Sequence, residues 1–178
     1  MVEVILREYC EEIDSLIDQG AFDAAISHCQ HILKIHPKYL KVYSLLGKAA
    51  LEKGDLEAAA DLFSRVLSMD PEDFVARVGM SIASDKDGSL DQAIWHMERA
   101  FELAPDNQAI VGELGRLYGR RDGVEPQKVQ LTQGALARLH ARGNLYTQAI
   151  NEQRRLLQTE PERVDLQVAL AETLWRAD

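Results

Sequence analysis

The sequence is short of the residues on which covalent, metal and membrane chemistry usually depend. Of 178 residues only two are cysteine, Cys10 and Cys29. Both fall on apolar helix positions, the placement of free thiols in a reducing compartment. No 18 apolar residues run together, so no membrane span is expected. Residues 1–8 have neither a basic lead nor a long apolar run, so they do not read as a secretory signal. A soluble, cytoplasmic chain is expected. There is also no G-x-S-x-G, no H-E-x-x-H, no phosphate-binding glycine loop and no paired Cys-x-x-Cys. The serines follow helix positions, the five histidines lack the context of a general base, and the carboxylates read as solvated faces. The expectation is a chain that is not an enzyme and carries no cofactor.

Cations are scarce in the first part. Up to Ala104 there are 19 acids against 10 Lys and Arg, a net charge of −9; from Pro105 onward 10 and 10 cancel. Neutralising a phosphate backbone needs clustered cations, so nucleic acid is not expected as the ligand. A binder using Arg116, Arg120, Arg121, Lys128, Arg138 and Arg142 would betray itself by affinity falling steeply with salt. His28 and His31 stand three apart on one helix face, a spacing that can chelate a metal. Cys29 points away from them and nothing completes a tetrahedral set, so they are expected as surface histidines beside a core thiol. Residues 85–88 open like a calcium loop, but Leu90 occupies the required glycine position and no bidentate glutamate follows. They read as a helix end and a turn.

What is present is a repeat. Pro37, Pro71 and Pro105 are 34 residues apart, as are Gly20, Gly54 and Gly88, and Ala25, Ala59 and Ala93. Three marks in one register indicate a helical-hairpin unit, seen most clearly over residues 40–73. The glycine supplies a left-handed helix end. Asp55 and Ser89 stand where the next helix wants an N-cap. The alanine fits where two helices approach closely. The proline suits the first turn of the helix that follows.

These residues resemble the tetratricopeptide repeats, whose units pair Leu-Gly in a first helix with a small residue and an aromatic in the second and end on proline. Tyr43, Leu46, Gly47, Ala59, Phe63 and Pro71 match in the central unit. Flanking units are looser: Ile13 and Ser81 stand at the Gly47 position, Cys29 and Met97 at that of Phe63. The likeness covers residues 6–105 and, less closely, 132–161. It implies an all-α, right-handed superhelical solenoid of antiparallel helix pairs, about ten helices in all. Residues 1–105 would be three regular 34-residue repeats, 106–142 an irregular helical insertion, and 143–178 a further repeat-like pair cut off mid-unit. In the insertion the spacing predicts helices over 107–119 and 127–142, a hairpin that redirects the superhelix.

The resemblance further implies a scaffold that binds a partner peptide or segment on the concave face formed by the first helices. Carried over by position, that lining includes Cys10 and Asp14, then Lys41, Ser44 and Lys48, then Val75, Val78 and Ile82, then Gly112, Arg116 and Arg120. The valine strip reads either as packing between units or as the floor of a groove. The arginines read either as a solvated face or as a cationic edge. The functional version is an apolar floor between two cationic edges, suited to a partner with hydrophobic and acidic residues. Some relatives grip a terminal carboxylate with lysine, asparagine and arginine. The matching positions here hold Cys10, Asp14, Leu45, Val75 and Gly79, which cannot do so. The last helix, predicted over 163–176, is apolar nearly all round. Leu170, Leu174 and Trp175 therefore suggest an alternative: a module that dimerises through its C-terminal helix, or continues into a longer chain.

Overall fold

The computed structural model describes residues 2–177, with side chains from residue 5 onward. Met1 and Asp178, on which the leader and truncation readings partly rest, lie outside the described residues. Those residues form ten helices and no strand: α1 (Val2–Asp18), α2 (Phe22–Ile35), α3 (Leu40–Lys53), α4 (Leu56–Met69), α5 (Phe74–Lys86), α6 (Leu90–Leu103), α7 (Gln108–Asp122), α8 (Gln133–Arg142), α9 (Tyr146–Thr159) and α10 (Val164–Ala177). No helix among them is long and apolar enough to cross a membrane. They cluster as two compact units, residues 1–89 and 90–178.

In the first unit α1 packs on α2 and α3, α3 on α4, and α4 on α5, with α3 also touching α5. The repeat marks explain the joints. Gly54 ends α3 in the left-handed region at φ 81°, and the Asp55 side chain then accepts the Ala58 N–H at 3.1 Å to cap α4. Side chains are penalised in that backbone region, which is why glycine holds the position. Ala25, Ala59, Ala93 and Ala149, the expected close-approach positions, are all 0% exposed.

The prolines behave differently from expectation. Pro37, Pro71, Pro105 and Pro161 each lie two residues past a helix end and three before the next helix, so they sit in the turn and not in a first helical turn. Their carbonyls are used instead. Tyr43 Oη donates to Pro37 O at 2.9 Å, Arg77 Nη2 to Pro71 O at 2.9 Å, and Gln167 Nε2 to Pro161 O at 2.7 Å. A donor six residues after the proline thus ties each turn to the helix that follows; at Pro105 the corresponding residue is Val111, which has no side-chain donor.

In the second unit α7 and α8 each pack on α6 and do not pack on one another, while α9 packs on both α8 and α10. The helix predicted over 127–142 begins only at Gln133. Pro126 disfavours helix upstream, and the Thr132 hydroxyl caps α8 by accepting the Ala135 N–H at 3.1 Å. The non-helical segment before it lies along α7, where a Cβ on Gly119 would stand 3.1 Å from Glu125 Cα. The glycines of α7 let a chain run where a partner helix is missing.

Candidate functional site

Six of the eight residues expected to touch a partner meet in the first unit. Lys41, Ser44 and Lys48 recur along one face of α3, and Val75, Val78 and Ile82 along one face of α5. Together they line a cavity of about 300 Å³. Behind them stands Phe63 of α4, which is 1% exposed and also lines the space. Its ring fits there because two glycines make room. A Cβ on Gly47 would lie 2.6 Å from Phe63 Cε1, and one on Gly79 would come closer still to Cζ. Gly47 belongs to the repeat motif. Gly79 does not share its register position, which Ser81 holds, so its pairing with Phe63 was not legible from the 34-residue spacing.

The charges at the rim are largely spoken for. Lys48 Nζ lies 2.8 Å from Asp14 Oδ1 and 2.7 Å from Asp18 Oδ1, both on α1. Burial alone would pull its pKa down, but the hydrogen bonds to Asp14 and Asp18 outweigh it and hold the ammonium above its ordinary value. Glu52 also borders the cavity. The edge expected to be cationic is therefore mixed, with Lys41 exposed beside it. Cys10, expected on the lining, is 2% exposed and belongs to the core with Cys29. Burial raises the Cys10 thiol, and burial with the neighbouring Cys10 pushes Cys29 up to about 12. Both are free.

One lining group stands apart. Ser44 is 3% exposed, and its Oγ is buried with no hydrogen-bond partner in the protein. Leaving such a hydroxyl unsatisfied costs about 1–3 kcal/mol.

The histidines also differ from expectation. His28 is half-buried, with its Nδ1 2.5 Å from Tyr9 Oη and the two rings edge-to-face, so it is no bare surface group. His31 is exposed. Among the described residues no three His, Cys, Asp or Glu side chains converge as metal ligands.

Arg116 and Arg120 lie on α7 in the second unit. Arg116 donates to Glu113 through Nε at 2.9 Å and Nη2 at 2.6 Å. Arg121 bonds Asp122 at 2.8 Å and lies over the Tyr118 ring. Of the residues suggested for self-association, Trp175 is 80% exposed and Leu174 37%. Leu170 is half-buried, at the edge of the face of α10 that Leu166, Ala169 and Thr173 turn inward. The large apolar residues that α10 exposes are Val164, Val168, Leu174 and Trp175.

The interior of this unit holds what sequence reasoning missed, a buried ionic cluster. Arg163 and Glu102 are each 1% exposed at the side chain and meet at 2.6 Å. Arg163 also bonds Asp165, and Glu102 accepts from Arg99 Nη2 and Thr132 Oγ1 at 3.2 Å each. Burial would lower the Arg163 pKa, but the bonds to Asp165 and Glu102 hold it above its usual value. Gly134 is part of the fit, since a Cβ there would collide with the Glu102 carboxyl. The only sequence signal was a glycine inside a predicted helix.

Comparisons with known proteins agree with this architecture. A tetratricopeptide repeat family model matches residues 16–83. Anaphase-promoting complex subunit 3 of Schizosaccharomyces pombe is 24% identical over 102 residues, 57% of this chain and 15% of that protein. Small glutamine-rich tetratricopeptide repeat-containing protein 2 of Mycosarcoma maydis is 30% identical over 67 residues, 38% of this chain and 19% of that protein. The chain therefore spans less than a fifth of either relative's length. A thermophilic tetratricopeptide repeat protein of Thermus thermophilus superposes with a TM-score of 0.57 at 20% identity, covering 95% of this chain and 98% of that one. Residues 16–83 match the tetratricopeptide repeat model, and the ten helices share the fold of a tetratricopeptide repeat protein.

Proposed function

We infer that the chain is a non-catalytic interaction module that takes a partner segment on the α3–α5 face of its first unit. Proteins with tetratricopeptide repeats like that matched at residues 16–83 generally mediate protein–protein interaction. The observation that carries the reading is the 300 Å³ cavity between α3 and α5, floored by Phe63 and walled by Val75, Val78 and Ile82. An apolar recess with a few polar groups at its rim is the form that anchors a side chain from another molecule. Because Lys48 is already engaged by Asp14 and Asp18, the anchor is hydrophobic and the attraction for acidic residues is secondary. The buried free thiols support a reducing, cytoplasmic setting.

The test is a peptide-display selection on the full chain, followed by titration of the selected peptides. Val78→Arg places a charge in the wall and is expected to weaken them at least tenfold while the helical circular dichroism is unchanged. Peptides bound equally by both proteins would place the interaction elsewhere. A second reading, self-association through α10, rests on the exposure of Val164, Val168, Leu174 and Trp175. It predicts a mass that rises with concentration in sedimentation and stays monomeric in Trp175→Asp.

A further inference from the structure

We propose that the face of α7 now covered by residues 124–131 is the seat of an amphipathic helix from a partner protein, and that this segment is a strap which the helix displaces. Leu114 and Gly115 stand nine and ten residues after Pro105, as Leu46 and Gly47 stand after Pro37. In the first unit that place on α3 is covered by α4, whose Phe63 lies over Gly47. On α7 no such helix follows. Among the described residues α6 is its only helical neighbour, and α8 packs on α6 instead.

The strap fills the place poorly. A Cβ on Gly119 would stand 3.1 Å from Glu125 Cα, but one on Gly115 would find only Glu125 Oε1 at 3.4 Å and Val129 Cγ2 at 3.8 Å. On Gly47 it would meet the Phe63 ring at 2.6 Å. A cavity of about 610 Å³ remains between Val129 and Leu131 of the strap and Phe101, Pro105 and Val111, where it continues the apolar seam of α6 on α7. Val124 is 76% and Leu131 51% exposed, so release would uncover little besides the half-buried Pro126 and Val129. The ends are held separately: Gly123 closes α7 at φ 80°, and Thr132 caps α8 and bonds Glu102. The strap can leave without unwinding either helix. Val111, Gly115 and Gly119 recur at four-residue intervals, the row against which the ridge of a second helix packs. The fitting helix has what α4 has, a small residue and an aromatic four places on, as Ala59 and Phe63. An extended peptide would only repeat the strap.

Lys128 is the only lysine of residues 90–178 and is exposed on the strap, so cleavage there by a lysine-specific endoproteinase reads strap release in the full chain. The probe is a synthetic peptide of residues 56–69, this chain's own α4, which has no lysine. A hydrocarbon staple between positions 61 and 65, both exposed in α4, keeps it helical. It is expected to speed cleavage after Lys128 about fivefold, because proteolysis follows the population of the open form. It should also shift the amide resonances of Gly115 and Gly119. The same peptide carrying Phe63→Ala should do neither. Val129→Ser in the chain, which loosens the strap, is expected to raise the affinity of the peptide. Unchanged or slower cleavage, equal action of the two peptides, or shifts confined to other helices would overturn the proposal.

Discussion

At the scale of single residues the first unit turns on a ring held between two missing side chains. Phe63 occupies the space that Cβ atoms on Gly47 and Gly79 would need. Gly79→Ala is therefore expected to overpack the site and cost about 1–3 kcal/mol, read as a lowered midpoint in urea unfolding. Phe63→Leu in the same chain should recover part of that loss, because the two positions share one contact. The core thiols give a second prediction. Cys29 is held protonated in the folded chain up to about 12, against an ordinary value of 9.0. A raised pKa means that its contribution to stability is complete below pH 9 and is lost as pH climbs from there toward 12, by up to about 1.4 kcal/mol per pH unit. Iodoacetamide at about pH 8, below the thiol's ordinary range, should accordingly leave Cys10 and Cys29 unmodified in the native chain, and mass spectrometry should find both alkylated in urea. Rapid native labelling would show that the thiols are not sealed.

At the scale of elements the contrast is between the two ways in which helices are joined. In the first unit the seams are apolar and the spacing of Gly, Ala and Pro announces them, so α1 to α4 were legible to the residue. In the second, α6, the turn before α10 and the first turn of α10 meet at Glu102, Arg163 and Asp165. Arg163→Ala would take the shared guanidinium from two buried carboxylates, leaving Arg99 beside Glu102 and Arg138 beside Asp165, and is expected to cost about 3 kcal/mol in chemical denaturation. Replacing the pair together, with Glu102→Leu and Arg163→Met, should cost less, since Asp165 then keeps Arg138 at 3.6 Å and Arg99 keeps Glu98 at 3.2 Å. A small effect of Arg163→Ala would mean that water reaches the cluster. None of this was readable in advance. Glu102 and Arg163 lie 61 positions apart and each, taken singly, looks like a solvated helix residue. The same blindness misplaced the start of α8. The sequence between Pro126 and Thr132 has helical spacing, but Glu125 and Val129 are drawn onto the bare backbone of α7 at Gly115 and Gly119. The face carrying Lys41, Ser44, Lys48, Val75, Val78 and Ile82 was legible because it needs only helix periodicity. The pairing of Lys48 with Asp14 and Asp18 was not, because it depends on how α1 leans on α3.

At the scale of the whole molecule the charge is lopsided. Residues 1–89 hold 16 acids and 9 Lys and Arg, a net charge of −7; residues 90–178 hold 13 and 11, leaving −2. The proposed site nevertheless relies on an apolar recess whose lysine is internally neutralised. Binding of a selected peptide is thus expected to change less than about threefold between roughly 50 and 300 mM salt and to show a negative heat-capacity change in calorimetry. A steep salt dependence would shift the argument to the exposed charges. The Glu102–Arg163 cluster has one more consequence. Repeat arrays are ordinarily modular, because neighbouring seams are interchangeable grease and whole units can be added or removed. A joint made of directional bonds to named partners accepts no substitute neighbour. Consensus units spliced between α4 and α5 should find a welcoming surface, whereas the same graft between α6 and α8 would part Glu102 from Arg163 and leave it Arg99 of its own helix, so lengthening by duplication is expected to be tolerated better in the first unit.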